Sequence, residues 1–135
     1  MLSEPLTRPC LLSATSPVPM ASVASHWLAP EEGRYKLNTD GARCNTDGFA
    51  SCGCVVRDAL GAWKFGFSKF IGMCEVLEAE LWGVVTGLRM AWDRGLRRII
   101  LEVDSADAVR SIQNPDRRSI SHLLVACAVE LLGRN

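Results

Sequence analysis

Lys36-Leu37-Asn38-Thr39-Asp40-Gly41-Ala42 is the stretch around which the rest of the chain arranges itself. With Tyr35 ahead of it, it reads as a strand. Tyr35, Leu37 and Thr39 share one face, and Lys36, Asn38 and Asp40 share the other. The strand ends on a carboxylate and a glycine. An acid near the end of a central strand is costly to bury alone. It needs a cation or other polar groups beside it, so the question becomes whether the fold brings more carboxylates to the same place.

Downstream, Asn45, Asp47 and Gly48 mark a loop, and a second strand over residues 50–57 puts Cys52, Cys54 and Val56 on one face. Asp58-Ala59-Leu60-Gly61 is a turn by its residues. A third strand over 62–70 alternates Trp63, Phe65 and Phe67 with Lys64, Gly66 and Ser68, and pairs with the second as a hairpin. The strongest helix spans 75–94, where Leu77, Leu81, Val84, Leu88 and Ala91 recur as one apolar stripe. Gly95 supplies its stop, but no Ser, Thr, Asp or Asn stands just before Glu75 to mark its start. Gly83 inside it costs about 1 kcal/mol relative to alanine. A fourth strand over 98–104 is apolar enough, through Ile99, Leu101 and Val103, to be central. Asp104 or Ser105 caps a short helix that ends near Gln113. Asn114-Pro115-Asp116 breaks the chain, and a last helix over 119–132 carries Leu124, Ala128 and Leu131 at helical spacing.

Upstream, residues 1–30 show no sustained period, which predicts a linker or disordered arm over 1–32 and one domain over 33–135. A single early arginine, Arg8, beside the acid Glu4 fits a transit peptide poorly. No charged start followed by an apolar core marks a secretory signal, so an intracellular protein, nuclear or cytoplasmic, is expected. No apolar run approaches the length of a membrane span. A content of 48% hydrophobic and 22% charged residues excludes wholesale disorder. Fifteen basic and fifteen acidic residues give zero formal net charge, which excludes a grip on nucleic acid by bulk charge alone. Cys10, Cys44, Cys52, Cys54, Cys74 and Cys127 contain no Cys-x-x-Cys pair, and His26 and His122 lie far from Cys52 and Cys54. Small buried thiols explain them better than a disulfide framework or a zinc site.

The element order gives an α/β domain with a mixed sheet: a three-strand antiparallel meander, a helix, then a strand that returns. The first and third strands end at one edge, so the long helix starts there and holds Glu80 in its second turn. The fourth strand also rises to that edge and ends on Asp104. If it pairs parallel with the first through a right-handed crossover, Asp40 and Asp104 become neighbours. Glu80 flanks the apolar stripe about 40° from Val84 and can lean toward both. Glu78 lies about 200° round the helix from Glu80, and Glu102 sits a pleat below Asp104, so neither joins them. Taken singly, Asp40 also fits a turn residue, Glu80 a solvated flank and Asp104 a helix cap. Together they repel and need a counter-charge. Carboxylates without nearby His or Cys suit a hard divalent ion such as Mg²⁺ or Mn²⁺. Two such ions, about 4 Å apart, activate a water and stabilise a leaving oxygen in phosphodiester cleavage.

Lys36 to Ala42, Val55-Val56-Arg57-Asp58, Glu78-Ala79-Glu80-Leu81-Trp82 and Leu101-Glu102-Val103-Asp104-Ser105 resemble ribonuclease H type 1. More narrowly they resemble the plant reverse-transcriptase-like group, found in retroelements and as stand-alone plant proteins. The resemblance runs from Trp27 to Leu132, and His26-Trp27-Leu28-Ala29-Pro30 is similar to that group's lead-in. It implies the ribonuclease H-like fold and cleavage of the RNA strand of an RNA–DNA hybrid. It also implies two Mg²⁺ (or Mn²⁺) ions held by four carboxylates, of which Asp40, Glu80 and Asp104 match three as catalytic and metal-binding residues. The fourth, in a pattern like Asn-x-x-Ala-Asp after a fifth strand, has no match before Asn135, and His122 falls too early for the family's flexible histidine. The resemblance therefore implies a missing fifth strand and final helix, a bare edge on the fourth strand, and activity weakened or lost through truncation. The alternative is a non-catalytic nucleic-acid-binding remnant. The implied partner is the hybrid, read by shape and 2′-hydroxyls, with the backbone of Gly41 and Ala42 and the side chain of Asn45 touching RNA. A monomer with no membrane partner is expected.

Overall fold

The computed structural model describes residues 10–13 and 27–134. Its strands are β1 (Cys10–Ser13), β2 (Tyr35–Arg43), β3 (Phe49–Arg57), β4 (Trp63–Met73) and β5 (Ile99–Val103). Its helices are α1 (Val76–Asp93), between β4 and β5, then α2 (Ala106–Gln113) and α3 (His122–Arg134). The sheet order is β1-β5-β2-β3-β4. β2, β3 and β4 form the antiparallel meander, and β5 lies parallel to β2 from Tyr35↔Ile99 to Thr39↔Val103. The mixed α/β sheet expected from the element order is thus the one the chain forms.

Alternation in β2 and β3 gives α1 an apolar bed. Leu37, Cys54 and Val56 are buried there, with Leu81, Val84, Leu88 and Ala91 of the expected helical stripe. A second row of small residues on α1, Ala79, Gly83 and Gly87, is buried too. A β-carbon on Gly87 would lie 3.0 Å from Cys54 Sγ, and one on Gly83 would lie 3.2 Å from Cys52 Cβ. The helix-propensity cost at Gly83 is therefore offset by a close approach of helix to sheet. Burial pushes the Cys52 thiol above its ordinary range and Cys54 further still. Cys44, Cys52, Cys54, Cys74 and Cys127 are free thiols.

Several boundaries differ from the sequence expectation for local reasons. β4 runs on to Met73 because Met73 still pairs with Phe49 of β3. α1 does have a start signal: the Glu78 carboxylate accepts the Glu75 N–H at 3.4 Å in a capping box. Its end follows the expected glycine, Gly95 at φ +77°. Ser105 caps α2 by accepting the Ala108 N–H at 3.1 Å, so Asp104 is not the cap. α3 begins at His122, because residues 119–121 are held in a turn in which Ser119 Oγ accepts the Ser121 N–H at 3.2 Å.

The edge expected to be bare is occupied. β1 lies antiparallel along β5, from Cys10↔Val103 to Ser13↔Ile100. These four residues fall inside the stretch expected to be a linker or disordered arm over 1–32. A free strand edge pairs readily with an extended segment, whatever its periodicity. Trp27 and Leu28, from the same stretch, also make fixed contacts with β2. The rest of 1–26 lies outside the described residues. Among the described residues, no helix is long and apolar enough to cross a membrane.

Candidate active site

The parallel ladder between β2 and β5 ends at Thr39↔Val103. The next residue on one strand is Asp40 and on the other Asp104, so both acids emerge side by side at the carboxyl ends of adjacent strands. Ligands in open α/β sheets gather at such ends. Both residues are half-buried. Glu80, in the second turn of α1, is only 8% exposed. Its position depends on Gly41: a β-carbon there would lie 2.7 Å from Glu80 Cγ and 2.8 Å from Glu80 N. The glycine after Asp40 thus lets α1 settle against the end of β2 and carry Glu80 to the acid pair.

The electrostatics of Glu80 record this grouping. Burial is the largest cause of a pKa raised from an ordinary 4.5 to about 7. The Ser105 hydroxyl donates to the carboxylate and works in the opposite direction, while the charges of Asp40, Asp104 and Asp107 push the value up. Ser105 therefore has two bonds to make, accepting from Ala108 N and donating to Glu80.

The folded chain holds the Glu80 proton more tightly than the unfolded chain, so folding takes up a proton between about pH 4.5 and about pH 7. This contribution is complete below the lower value and is lost as pH rises through the upper one. Glu80→Gln is expected to match the wild type near pH 4 and to exceed it at pH 8 by about 1–3 kcal/mol. Urea unfolding at the two pH values measures the difference. Equal midpoints at pH 8 would show that Glu80 carries no such penalty.

The structure brings Asp40 and Asp104 within electrostatic range of Glu80, and adds two residues that the sequence did not mark as part of the site. Ser105 was signalled only as a cap beside Asp104. Asp107, an exposed acid in the first turn of α2, pairs with Arg110 and still acts on Glu80. Glu78 is taken up by the cap of α1, and Glu102, one pleat below Asp104 on the same face, is buried against Lys36. Among the described residues, no three His, Cys, Asp or Glu side chains are gathered tightly enough to chelate an ion as they stand. The three acids nevertheless offer only carboxylate oxygens, a donor set that fits Mg²⁺ or Mn²⁺. Of the expected RNA-contacting residues, Gly41 is half-buried against Glu80, whereas Ala42 and Asn45 are exposed. Asn45 lies in the β2–β3 turn, closed by the Gly48 N–H donating to Cys44 O at 2.8 Å.

A family described as reverse transcriptase-like matches residues 38–132, a span that takes in all three acids. The chain belongs to the reverse transcriptase-like family. A protein of Arabidopsis thaliana that carries a ribonuclease H name is 45% identical over 103 residues. That alignment covers 75% of this chain and 17% of the Arabidopsis protein, so the chain spans a small part of that relative's length. RNase H1 from the halophilic archaeon Halobacterium salinarum superposes with a TM-score of 0.65 at 25% identity, over 73% of this chain and 76% of that one. LC11-RNase H1, solved in complex with an RNA/DNA hybrid, gives 0.64 at 20% identity over 72% and 75%, a likeness of fold. The family domain here has the ribonuclease H-like fold expected from the four sequence motifs.

Proposed function

We propose that this domain hydrolyses the RNA strand of an RNA–DNA hybrid in a divalent-metal-dependent reaction at Asp40, Glu80 and Asp104. One observation carries the reading: Asp40 and Asp104 follow the last paired residues of β2 and β5, and Glu80 is electrostatically coupled to both. The hybrid held by LC11-RNase H1 supports the substrate class.

Asp40, Glu80 and Asp104 would hold Mg²⁺ or Mn²⁺, two ions in a complete site. When bound, the metal supplies an activated water and neutralises charge on the leaving oxygen. The chain's own residues set the conditions for this. Burial and neighbouring acids keep Glu80 partly protonated near neutral pH, so a cation competes with a proton there. The Ser105 hydroxyl orients the carboxylate, and Gly41 admits the helix that carries it. Ala42 and Asn45 are exposed, and their polar groups would meet phosphate or 2′-hydroxyl groups of the RNA strand.

A binding-only reading is favoured by one observation, that no chelating trio is gathered among the described residues. A single assay separates the two. The purified chain, with Mn²⁺ and an end-labelled hybrid, is expected to cut only the RNA strand and to stop on addition of a chelator. Hybrid bound but uncut at every Mn²⁺ concentration would replace cleavage with the binding-only reading. Neither binding nor cutting would overturn both.

A further inference from the structure

On the sheet face opposite α1, one pleat below Asp40 and Asp104, lies a polar cluster that the proposed chemistry does not use. Asn38 and Glu102 are direct partners across the parallel β2–β5 ladder. The Asn38 side-chain amide donates to Glu102 Oε1. Its oxygen accepts from the Trp27 indole N–H at 3.0 Å. Lys36 Nζ donates to the Leu28 carbonyl at 2.7 Å and stands 3.7 Å from Glu102 Oε2. The Lys36 ammonium and the Arg57 guanidinium lie 5.5 and 5.0 Å from the centre of the Trp27 ring. Lys36 and Glu102 are only 5% and 7% exposed.

Burying a charge pair is a poor way to gain stability, since desolvation offsets the attraction. What such a network can supply is a single permitted arrangement. Asn38 and Glu102 satisfy each other only in the observed register. A slip of one residue would set Asn38 against Leu101 or Val103, both apolar, and leave Glu102 and Lys36 buried with fewer partners. The same slip would separate Asp40 from Asp104 and turn one of them to the other face. The acid pair lies two residues beyond Asn38 and Glu102, so their register is its register. Trp27 fixes which way the Asn38 amide points, oxygen outward and nitrogen toward Glu102.

We infer that Trp27, Lys36, Asn38 and Glu102 form a register lock that positions Asp40 beside Asp104, with Trp27 as its outermost member. These are positioning residues, acting through the two strand-end acids. The consequence for metal binding rests on the proposed function; the lock itself does not.

The test uses the full ¹⁵N-labelled chain and two variants. Trp27→Phe keeps a ring beneath the two cations and removes the N–H donated to Asn38. Asn38→Ala removes both of its bonds. Amide hydrogen exchange without metal reads the lock. Protection along β2 and β5 is expected to fall up to about tenfold in either variant, the upper weight of one hydrogen bond, with β3–β4 amides unchanged. Unchanged β2–β5 protection in both variants overturns the lock. Titration with Mn²⁺ alone reads the positioning. In the wild type, paramagnetic broadening is expected to centre on the amides of Asp40, Gly41, Glu80 and Asp104. Folded Trp27→Phe is expected to need about tenfold more Mn²⁺ for the same broadening, and an unchanged requirement overturns the positioning role. If the wild type shows no local broadening, the metal reading fails, and hydrogen exchange alone supports or overturns the lock.

Discussion

Gly41→Ala is expected to destabilise the domain by about 2–3 kcal/mol. The added methyl would lie 2.7 Å from Glu80 Cγ and 2.8 Å from Glu80 N. A flexible side chain can turn aside, but the second contact is backbone, held by the first turns of α1. Relief therefore requires the helix to lift from the sheet at the point where Gly83 and Gly87 also sit close against β2 and β3. Alanine is intrinsically better than glycine in a strand by about 0.5–1 kcal/mol, which offsets only part of the strain. Gly133→Ala is the control: a β-carbon there meets nothing within 4 Å. It is expected to be neutral or stabilising, as alanine is in an exposed helix. Thermal unfolding compares them, and the Gly41 variant is expected to melt roughly 10–20 °C lower. Equal melting of Gly41→Ala and wild type would show that α1 does not approach β2 so closely.

The same contact explains why the site was partly legible in the sequence. Alternation in Tyr35 to Asp40 and the apolar stripe of α1 report which faces are buried, and burial fixes the orientation of strand and helix. Given the crossover rule, that was enough to set Asp40 beside Asp104 and Glu80 near both. What pattern reading misses is distance. Gly83 read as a defect because its loss of helix propensity is local, whereas its gain lies in a neighbour, Cys52, thirty-one positions away. Gly41 read as a backbone donor to RNA, and its contact with Glu80 became visible only once helix and strand were in place.

The edge and the far face were harder to read. A four-residue strand such as β1 has too few residues to show a period, and it pairs because β5 has an open edge. Trp27, in a segment without periodicity, is held by its N–H donated to Asn38 and by the cations of Lys36 and Arg57 over its ring. Glu102, read as lying a pleat below Asp104, is bonded to Asn38 and faces Lys36. Its burial could not be foreseen, because a charged residue in a strand reads as solvent-facing until its partners Lys36 and Asn38 are known. Polar networks of this kind leave no spacing in the sequence, since each member is chosen by its neighbours in space.

Asp40→Asn is expected to lower Mn²⁺-dependent cleavage of the hybrid by at least about 100-fold. The substitution keeps the size of the side chain and one acceptor oxygen, and removes the charge that a hard divalent ion requires. Stability should move the other way. The Asp40 charge is one of those that raise the pKa of Glu80, so its removal relieves a repulsion in the folded state. At pH 8 the variant is expected to be as stable as the wild type or more so, by up to about 1 kcal/mol. Loss of activity without loss of stability marks a residue retained for chemistry at a cost to the fold. Asp107→Asn separates ligation from a general field effect. Asp107 also raises the pKa of Glu80, but it is exposed, sits on α2 and pairs with Arg110. If Asp40 acts as a ligand, Asp107→Asn should leave cleavage within a few-fold of wild type while Asp40→Asn removes it. Equal losses in the two variants would mean that only the summed negative charge matters, and persistent cleavage in Asp40→Asn would remove the metal site from the end of β2.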